Sequence, residues 1–202
     1  MTIIPQKRNV PSAERNKAPI GAQLENLLPQ NAHVLEIASG TGQHGGYFAH
    51  LRPDIIWQYS DIDADARASQ AAFVQENTAQ LKPSLLLDVT QKNWWRNIPN
   101  ITNIYCANMI HIAPWEAALG LAEGAGNLLS SGDNLFLYGP FLFGAQSAKS
   151  NLDFTENLKQ RNPLWGVRDL SDVEKMFAKH NLNLSQKIKM PRDNYLLVFM
   201  KV

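Results

Sequence analysis

Apolar positions along this chain switch repeatedly between a helical spacing and short unbroken runs, and that alternation predicts its elements. Ile20, Leu24, Leu27 and Leu28 fall at i, i+4, i+7 and i+8, the spacing of a helix that opens at Pro19 and is stopped by Pro29. The run 33–38 predicts a strand, 43–51 a short helix, 55–59 a second strand and the Ala-rich 64–79 another helix. A short strand follows over 84–87, ending in Asp88, and another over 101–107. Pro114 opens a helix with Trp115, Ala118, Leu119, Ala122 and Leu129 on one stripe, closed by Ser130-Ser131-Gly132. Beyond it lie a strand over 134–138 and helices near 151–160 and 171–180, the latter capped by Ser171. The chain then reads as strands around 183–189 and 195–201, joined as a hairpin through Pro191-Arg192-Asp193-Asn194. Arg8 to Asn16 is polar, has no helical period and reads as a solvated arm.

Strands alternating with helices predict an α/β domain, a parallel sheet with helices on both faces. Ligands on such sheets sit beyond the carboxyl ends of the strands. That rule groups Glu36, Gly40, Asp61, Asp88 and Asn108, which are far apart in sequence. The most informative stretch is His33 to Gly46, HVLEIASGTGQHGG, where an apolar strand runs into a glycine-rich turn that opens a helix. This arrangement brings backbone N–H groups up to a nucleotide. Glycine suits the turn because its backbone visits positive φ and because a β-carbon would hold the ligand away.

Composition narrows the classes. With 202 residues, 45% hydrophobic and 18% charged, the chain fits one globular domain. A formal charge of +1 gives no electrostatic reason to expect nucleic acid or an anionic membrane as partner. No apolar run reaches the length of about 18 residues that a membrane span needs. The segment MTIIPQKRNVPSAERN lacks the apolar centre of a secretory signal, so a cytoplasmic location is expected. The single cysteine, Cys106, excludes an intramolecular disulfide and a Cys-rich zinc site, and reads as a small core residue. His33, His44, His50 and His180 show no metal-ligand spacing with acids, so no metal is assigned. Trp94, Trp95 and Trp115 read mainly as core.

Gly40-Thr41-Gly42-Gln43-His44-Gly45 formally matches the dinucleotide fingerprint, which keeps an NAD(P) oxidoreductase open. Three features point elsewhere. Glu36 places a carboxylate beside the loop, which repels a pyrophosphate but not an ammonium or sulfonium. Leu87-Asp88-Val89 adds a second acid suited to an adenine amino group. The closing hairpin and the lack of a separate substrate domain do not suit a two-domain dehydrogenase.

Val34-Leu-Glu-Ile-Ala-Ser-Gly-Thr-Gly42, Tyr59-Ser-Asp-Ile-Asp63 and Leu87-Asp-Val89 together resemble the successive cofactor motifs of class I S-adenosylmethionine-dependent methyltransferases. Glu14-Arg-Asn-Lys-Ala-Pro-Ile20 and Asn108-Met-Ile-His-Ile-Ala-Pro-Trp115 resemble signatures of a small methyltransferase-like subfamily of unknown function. The resemblance covers nearly the whole chain. It implies a three-layer Rossmann-like sandwich over residues 1–202 as a single domain, with a seven-stranded, mostly parallel sheet whose last strand is antiparallel. It also implies a cofactor site of Glu36 near the methionine amino group, Gly40, Thr41 and Gly42 at the backbone, Asp61 and Ile62 at the ribose, and Asp88 and Val89 near adenine, with Asn108 at the rim. Residues 1–18 would form an arm over that site, Arg15 meeting the methionine carboxylate beside Asn16. Asp63 is expected to cap the following helix instead. Ala38 departs from the first motif, where a glycine is common.

The implied reaction is methyl transfer from S-adenosylmethionine to a small-molecule acceptor, with His111 and Asn108 as candidate catalytic residues. No Asn-Pro-Pro-aromatic run is present, which argues against an amino-group acceptor on a nucleobase or glutamine. A protein that binds the cofactor without turnover is the third reading, because no catalytic base stands out unambiguously.

Overall fold

The computed structural model describes residues 6–98 and 100–202. Its helices and strands run in the order α1 (Pro11–Leu27), β1 (His33–Ile37), α2 (Gln43–Leu51), β2 (Ile56–Asp61), α3 (Ala64–Glu76), β3 (Leu81–Leu86), β4 (Asn103–Ala107), α4 (Trp115–Leu128), β5 (Asn134–Pro140), α5 (Lys149–Arg161), α6 (Leu170–Ala178), β6 (Leu182–Met190) and β7 (Asn194–Lys201). The strands form one seven-stranded sheet, ordered β3-β2-β1-β4-β5-β7-β6. It is mostly parallel, and β7, the last strand, runs antiparallel to both of its neighbours. Two compact units divide the chain, one reaching to Asp88 and including Asn100–Tyr105, the other holding the rest.

In the first unit β1 is buried almost throughout, so it reads as a continuous apolar run broken by Glu36 alone. Val34 pairs with Trp57 and Glu36 with Tyr59 across β1 and β2. Phe48 on α2 packs edge-on against Trp57 and Tyr105, with ring centroids 5.4 and 5.6 Å away. Each such pair adds about 0.5–1.5 kcal/mol beyond burial. The close seating of α2 depends on Gly45, where a β-carbon would lie 2.4 Å from Trp57 Nε1.

Several boundaries differ from the sequence reading. The first helix opens at Pro11 and carries Pro19 inside it. Its first two turns are mostly exposed, so residues that read as an unstructured arm are helical without an apolar face. Of the expected arm 1–18, the first five residues lie outside the described residues. Strand β3 begins at Leu81 and contains Pro83, which an edge strand tolerates because its outer side has no ladder to complete.

In the second unit Leu135–Tyr138 of β5 and Leu196–Phe199 of β7 are fully or nearly fully buried and paired in antiparallel register. Phe177 of α6 stacks on Phe199 at 4.4 Å. The hairpin between β6 and β7 turns through three residues, 191–193, of which Arg192 and Asp193 are both at positive φ. Helix α4 buries Ala117, Ala118, Leu121, Ala122, Gly124 and Ala125, whereas Leu119 of the expected stripe is 43% exposed. Trp94, Trp95 and Trp115 are half-buried, not core. The Trp94 indole needs a partner for its N–H and donates to the Gly120 carbonyl at 2.9 Å. Cys106 is fully buried. The cap of α6 is Asp169, whose carboxylate accepts from the Ser171 amide, so Ser171 is already inside the helix. No described helix is long and apolar enough to cross a membrane.

Candidate cofactor site and candidate catalytic loop

The glycine loop of the first unit is fastened from behind by side chains. Gln70 Nε2 donates to the Gly40 carbonyl, Ser69 Oγ to the Thr41 carbonyl and Tyr59 Oη to the Gly42 carbonyl, each at 2.8 Å. The Gly40 amide in turn donates to Asp61 Oδ2 at 2.8 Å. Ser39 and Ser60 lock the base of the loop to the Glu36 carbonyl and to each other. With these groups turned inward, the loop reaches the α2 N-terminus in one fixed geometry. The Gln43, His44 and Gly45 amides there have no acceptor within the helix. Gly40 and Gly42 sit at φ +55 and +85, so a β-carbon at either is strained. Ala38 shares that conformation, at φ 54, which costs a non-glycine residue about 1–2 kcal/mol.

Asp61 is 8% exposed, and its second oxygen accepts from the Asp63 amide at 2.9 Å. The expected split between the two acids is visible on the Asp63 side: its carboxylate caps α3 by accepting from Asp65 and Ala66 amides. Ile62 projects 66% exposed beside Asp61. The register of β2 with β3 pairs Asp61 with Leu86, which brings half-buried Asp88 to the same strand ends. Glu36 is 2% exposed and its carboxylate accepts from Trp57 Nε1 at 2.8 Å. Burial pushes its pKa up to about 8, against the lowering effect of the Trp57 and Ser39 hydrogen bonds.

Gln43, which the sequence reading passed over, joins α1 to this loop. Its amide donates to Glu14 at 2.9 Å and its oxygen accepts from the Thr41 hydroxyl at 2.8 Å. Arg15 is exposed and Asn16 half-buried on the same helix. Nothing in the sequence flagged Gln43, Ser69 or Gln70, because a lone polar residue on a helix has no pattern.

Val89, Asn108 and His111 belong to the second unit. Val89 is buried, and its carbonyl stands 1.9 Å from where a β-carbon on Gly120 would be. Asn108 follows β4 at φ 58, and its amide donates to the Tyr138 carbonyl at 2.9 Å. Asn108 Oδ1 and His111 Nδ1 converge on Gly139 of β5, lying 3.6 and 3.4 Å from where a β-carbon would be. The His111 ring is 4% exposed and meets Phe154 edge-on at 5.8 Å. Burial first, then the charge of Arg168, lowers its pKa to about 4, so the imidazole is neutral near pH 7. Arg168 is a second residue the sequence did not reveal. It fastens the loop by donating to the carbonyls of Ile110, Ala113 and Leu164. Among the described residues no cluster of His, Cys, Asp or Glu offers a metal site.

Several solved structures with the same fold are methyltransferases by title. An O-methyltransferase family protein from Burkholderia thailandensis superposes with a TM-score of 0.79 at 11% identity, over 93% of this chain and 56% of that one. CalO1, a methyltransferase of calicheamicin biosynthesis in its SAH-bound form, gives 0.78 at 12% identity, over 95% and 54%. The mitomycin 7-O-methyltransferase MmcR gives 0.78 at 10% identity, over 95% and 54%. The chain thus spans about half the length of these proteins, and at such identity they show its fold alone, a Rossmann-like α/β fold that these methyltransferases share. A family model covers residues 7–201, so the chain belongs to the family described as "Protein of unknown function (DUF938)".

Proposed function

We propose that this protein is an S-adenosylmethionine-dependent methyltransferase acting on a small-molecule acceptor. The observation that carries the reading is the loop of Gly40, Thr41 and Gly42. Its three carbonyls are tied back by side chains, it opens on a helix N-terminus, and two buried acids flank it. This donor set fits the cofactor. Helix amides favour a carboxylate, Asp61 retains lone pairs for ribose hydroxyls, Ile62 offers apolar contact, and Asp88 accepts from an amino group. Glu36, at the end of β1, is the acid we assign to the ammonium, and Arg15 and Asn16 on α1 of the same unit complete the set. The neighbouring CalO1 structure, by its title, holds SAH.

Bound there, the cofactor would supply an electrophilic methyl group on a sulfonium, with the thioether of S-adenosylhomocysteine as the leaving group when the acceptor takes the methyl carbon. His111 is the residue offered to the acceptor: its ring is neutral near pH 7 and Asn108 Oδ1 lies close to the same spot. Because burial holds its pKa near 4 it is a weak base, fitted to accept a hydrogen bond from the acceptor's O–H or N–H and orient it. Arg168 contributes by fixing the loop that carries His111. Isothermal titration with S-adenosylhomocysteine tests the reading, and saturable binding supports it. No binding at millimolar ligand refutes it, and tight NADH binding in its place transfers the fold to an oxidoreductase.

A further inference from the structure

The segment before α1, residues 6–10, is exposed and extended along the first unit, yet two of its backbone amides are spoken for by buried side chains. The Val10 amide donates to Gln43 Oε1 at 2.7 Å, the same oxygen that accepts from the Thr41 hydroxyl. Gln43 Nε2 donates both to Asn9 Oδ1 at 3.1 Å and to Glu14. The Arg8 amide donates to Ser69 Oγ at 2.8 Å, and that hydroxyl donates onward to the Thr41 carbonyl. Gln43 and Ser69 are 6% and 1% exposed. Two relays, each one side chain long, therefore end on the same loop residue, Thr41, from the same arm.

The rest of the arm's docking is slight. Lys7 pairs with the exposed Glu76 and lies over the Phe73 ring at 4.4 Å. Close by, the first turns of α1 face a buried and incomplete contact. His44 Nδ1 meets the Tyr105 hydroxyl at 3.1 Å while Nε2 has no hydrogen-bond partner, although the Ala13 carbonyl is near enough to favour its protonation.

We infer that Gln43 and Ser69 are positioning residues that couple the arm to the cofactor loop, so that cofactor binding and arm docking strengthen each other. The inference rests on the loop being the cofactor site. A ligand that fixes Thr41 fixes the acceptors on which Arg8 and Val10 depend, and reciprocity requires that a docked arm raise the ligand's affinity by the same factor. Arm release also frees Gln43 from Asn9 and loosens the start of α1, which carries Arg15 and Asn16.

Amide hydrogen exchange on the full chain, with and without S-adenosylhomocysteine, tests the coupling alongside titration of the same ligand. In the wild type, ligand is expected to slow exchange at the Arg8 and Val10 amides by about tenfold. Gln43→Ala is expected to abolish that protection and to weaken ligand binding by about tenfold, the scale of one or two lost hydrogen bonds. Arg8→Pro guards against a folding defect, since it removes the N–H that Ser69 accepts from an exposed segment outside the helices and sheet. Arg8→Ala, which loses the side chain but keeps that N–H, is its control, and the proline is expected to weaken binding about fivefold beyond the alanine with an unchanged melting midpoint. Wild type that fails to bind the ligand sinks the methyltransferase reading and this inference with it. Wild type that binds, with Arg8→Pro no weaker than Arg8→Ala or without ligand-dependent protection of the arm, overturns the coupling alone.

Discussion

Glu36 keeps a carboxyl group where water does not reach, and Glu36→Gln measures what that burial costs. The group is 2% exposed, bonded to the Trp57 indole and pushed up from 4.5 to about 8 by desolvation. Between those values the folded chain holds a proton that the unfolded chain has released. Its contribution to stability is therefore fully present below 4.5 and is lost as pH rises toward 8. Between pH 5 and pH 8 the loss is roughly 3–4 kcal/mol. Two buried histidines act in the opposite sense. His44 and His111 are lowered from 6.5 to about 4, so their stabilisation is present above 6.5 and fades as pH falls. At pH 5 that removes roughly 2 kcal/mol for each. The two trends nearly cancel in the wild type, so the informative quantity is the difference between variant and wild type. Glutamine keeps an acceptor for the Trp57 N–H and carries no charge to desolvate. Denaturant unfolding at pH 5, 6.5 and 8 is expected to show the difference moving in the variant's favour by roughly 3–4 kcal/mol. For a chain of this size that corresponds to about 10 °C in the melting midpoint. A difference constant to within about 0.5 kcal/mol across that range refutes a desolvated carboxyl at this position.

Three further outcomes follow from individual contacts. Gly120→Ala places a β-carbon 1.9 Å from the Val89 carbonyl, a backbone atom that cannot swing away, and is expected to lower stability by about 3 kcal/mol or more in denaturant unfolding. Asp63→Ala removes the acceptor of the Asp65 and Ala66 amides and is expected to lower the melting midpoint by an amount equivalent to about 1 kcal/mol, while Asp63→Asn restores most of it. Ala38→Gly relieves a left-handed backbone at φ 54 and is expected to stabilise by up to about 1 kcal/mol after the entropy cost of glycine, so a destabilised variant contradicts strain at that turn.

What could be read from the sequence was local. The strand 33–38 and its glycine turn were legible because residue types with opposite backbone demands stand side by side there, and the hairpin at Pro191–Asn194 because turn chemistry is short-range. The start of α1 was not. Pro11 and Pro19 both offer a helix-opening proline, and only packing at Ile20 and Leu24 carries apolar periodicity, so the later proline looked like the start. The true extent of β3 was hidden by Pro83, whose tolerance depends on its strand lying at the sheet edge. At the site, Glu36, the glycines and the strand-end acids were legible because topology alone predicts where strand ends meet. Gln43, Ser69, Gln70 and Arg168 were not, because their partners lie up to 58 residues away and a single polar side chain carries no period.

Asp61 shows why such a site is hard to dissect one residue at a time. Its two oxygens already accept the Gly40 and Asp63 amides, at 2.8 and 2.9 Å, so the carboxylate shapes the loop whatever it later binds. Asparagine at this position would turn an NH2 toward one of those amides and leave a donor facing a donor. Weakened ligand binding in such a variant would then mix a lost ribose contact with a displaced Gly40. The arm contacts are cleaner, because Arg8 reaches the loop through its backbone N–H and Ser69 without touching the carboxylate. A polar residue that both builds the loop and faces the ligand ties affinity to stability. Only the outer members of the network, one bond removed, allow the two to be varied separately.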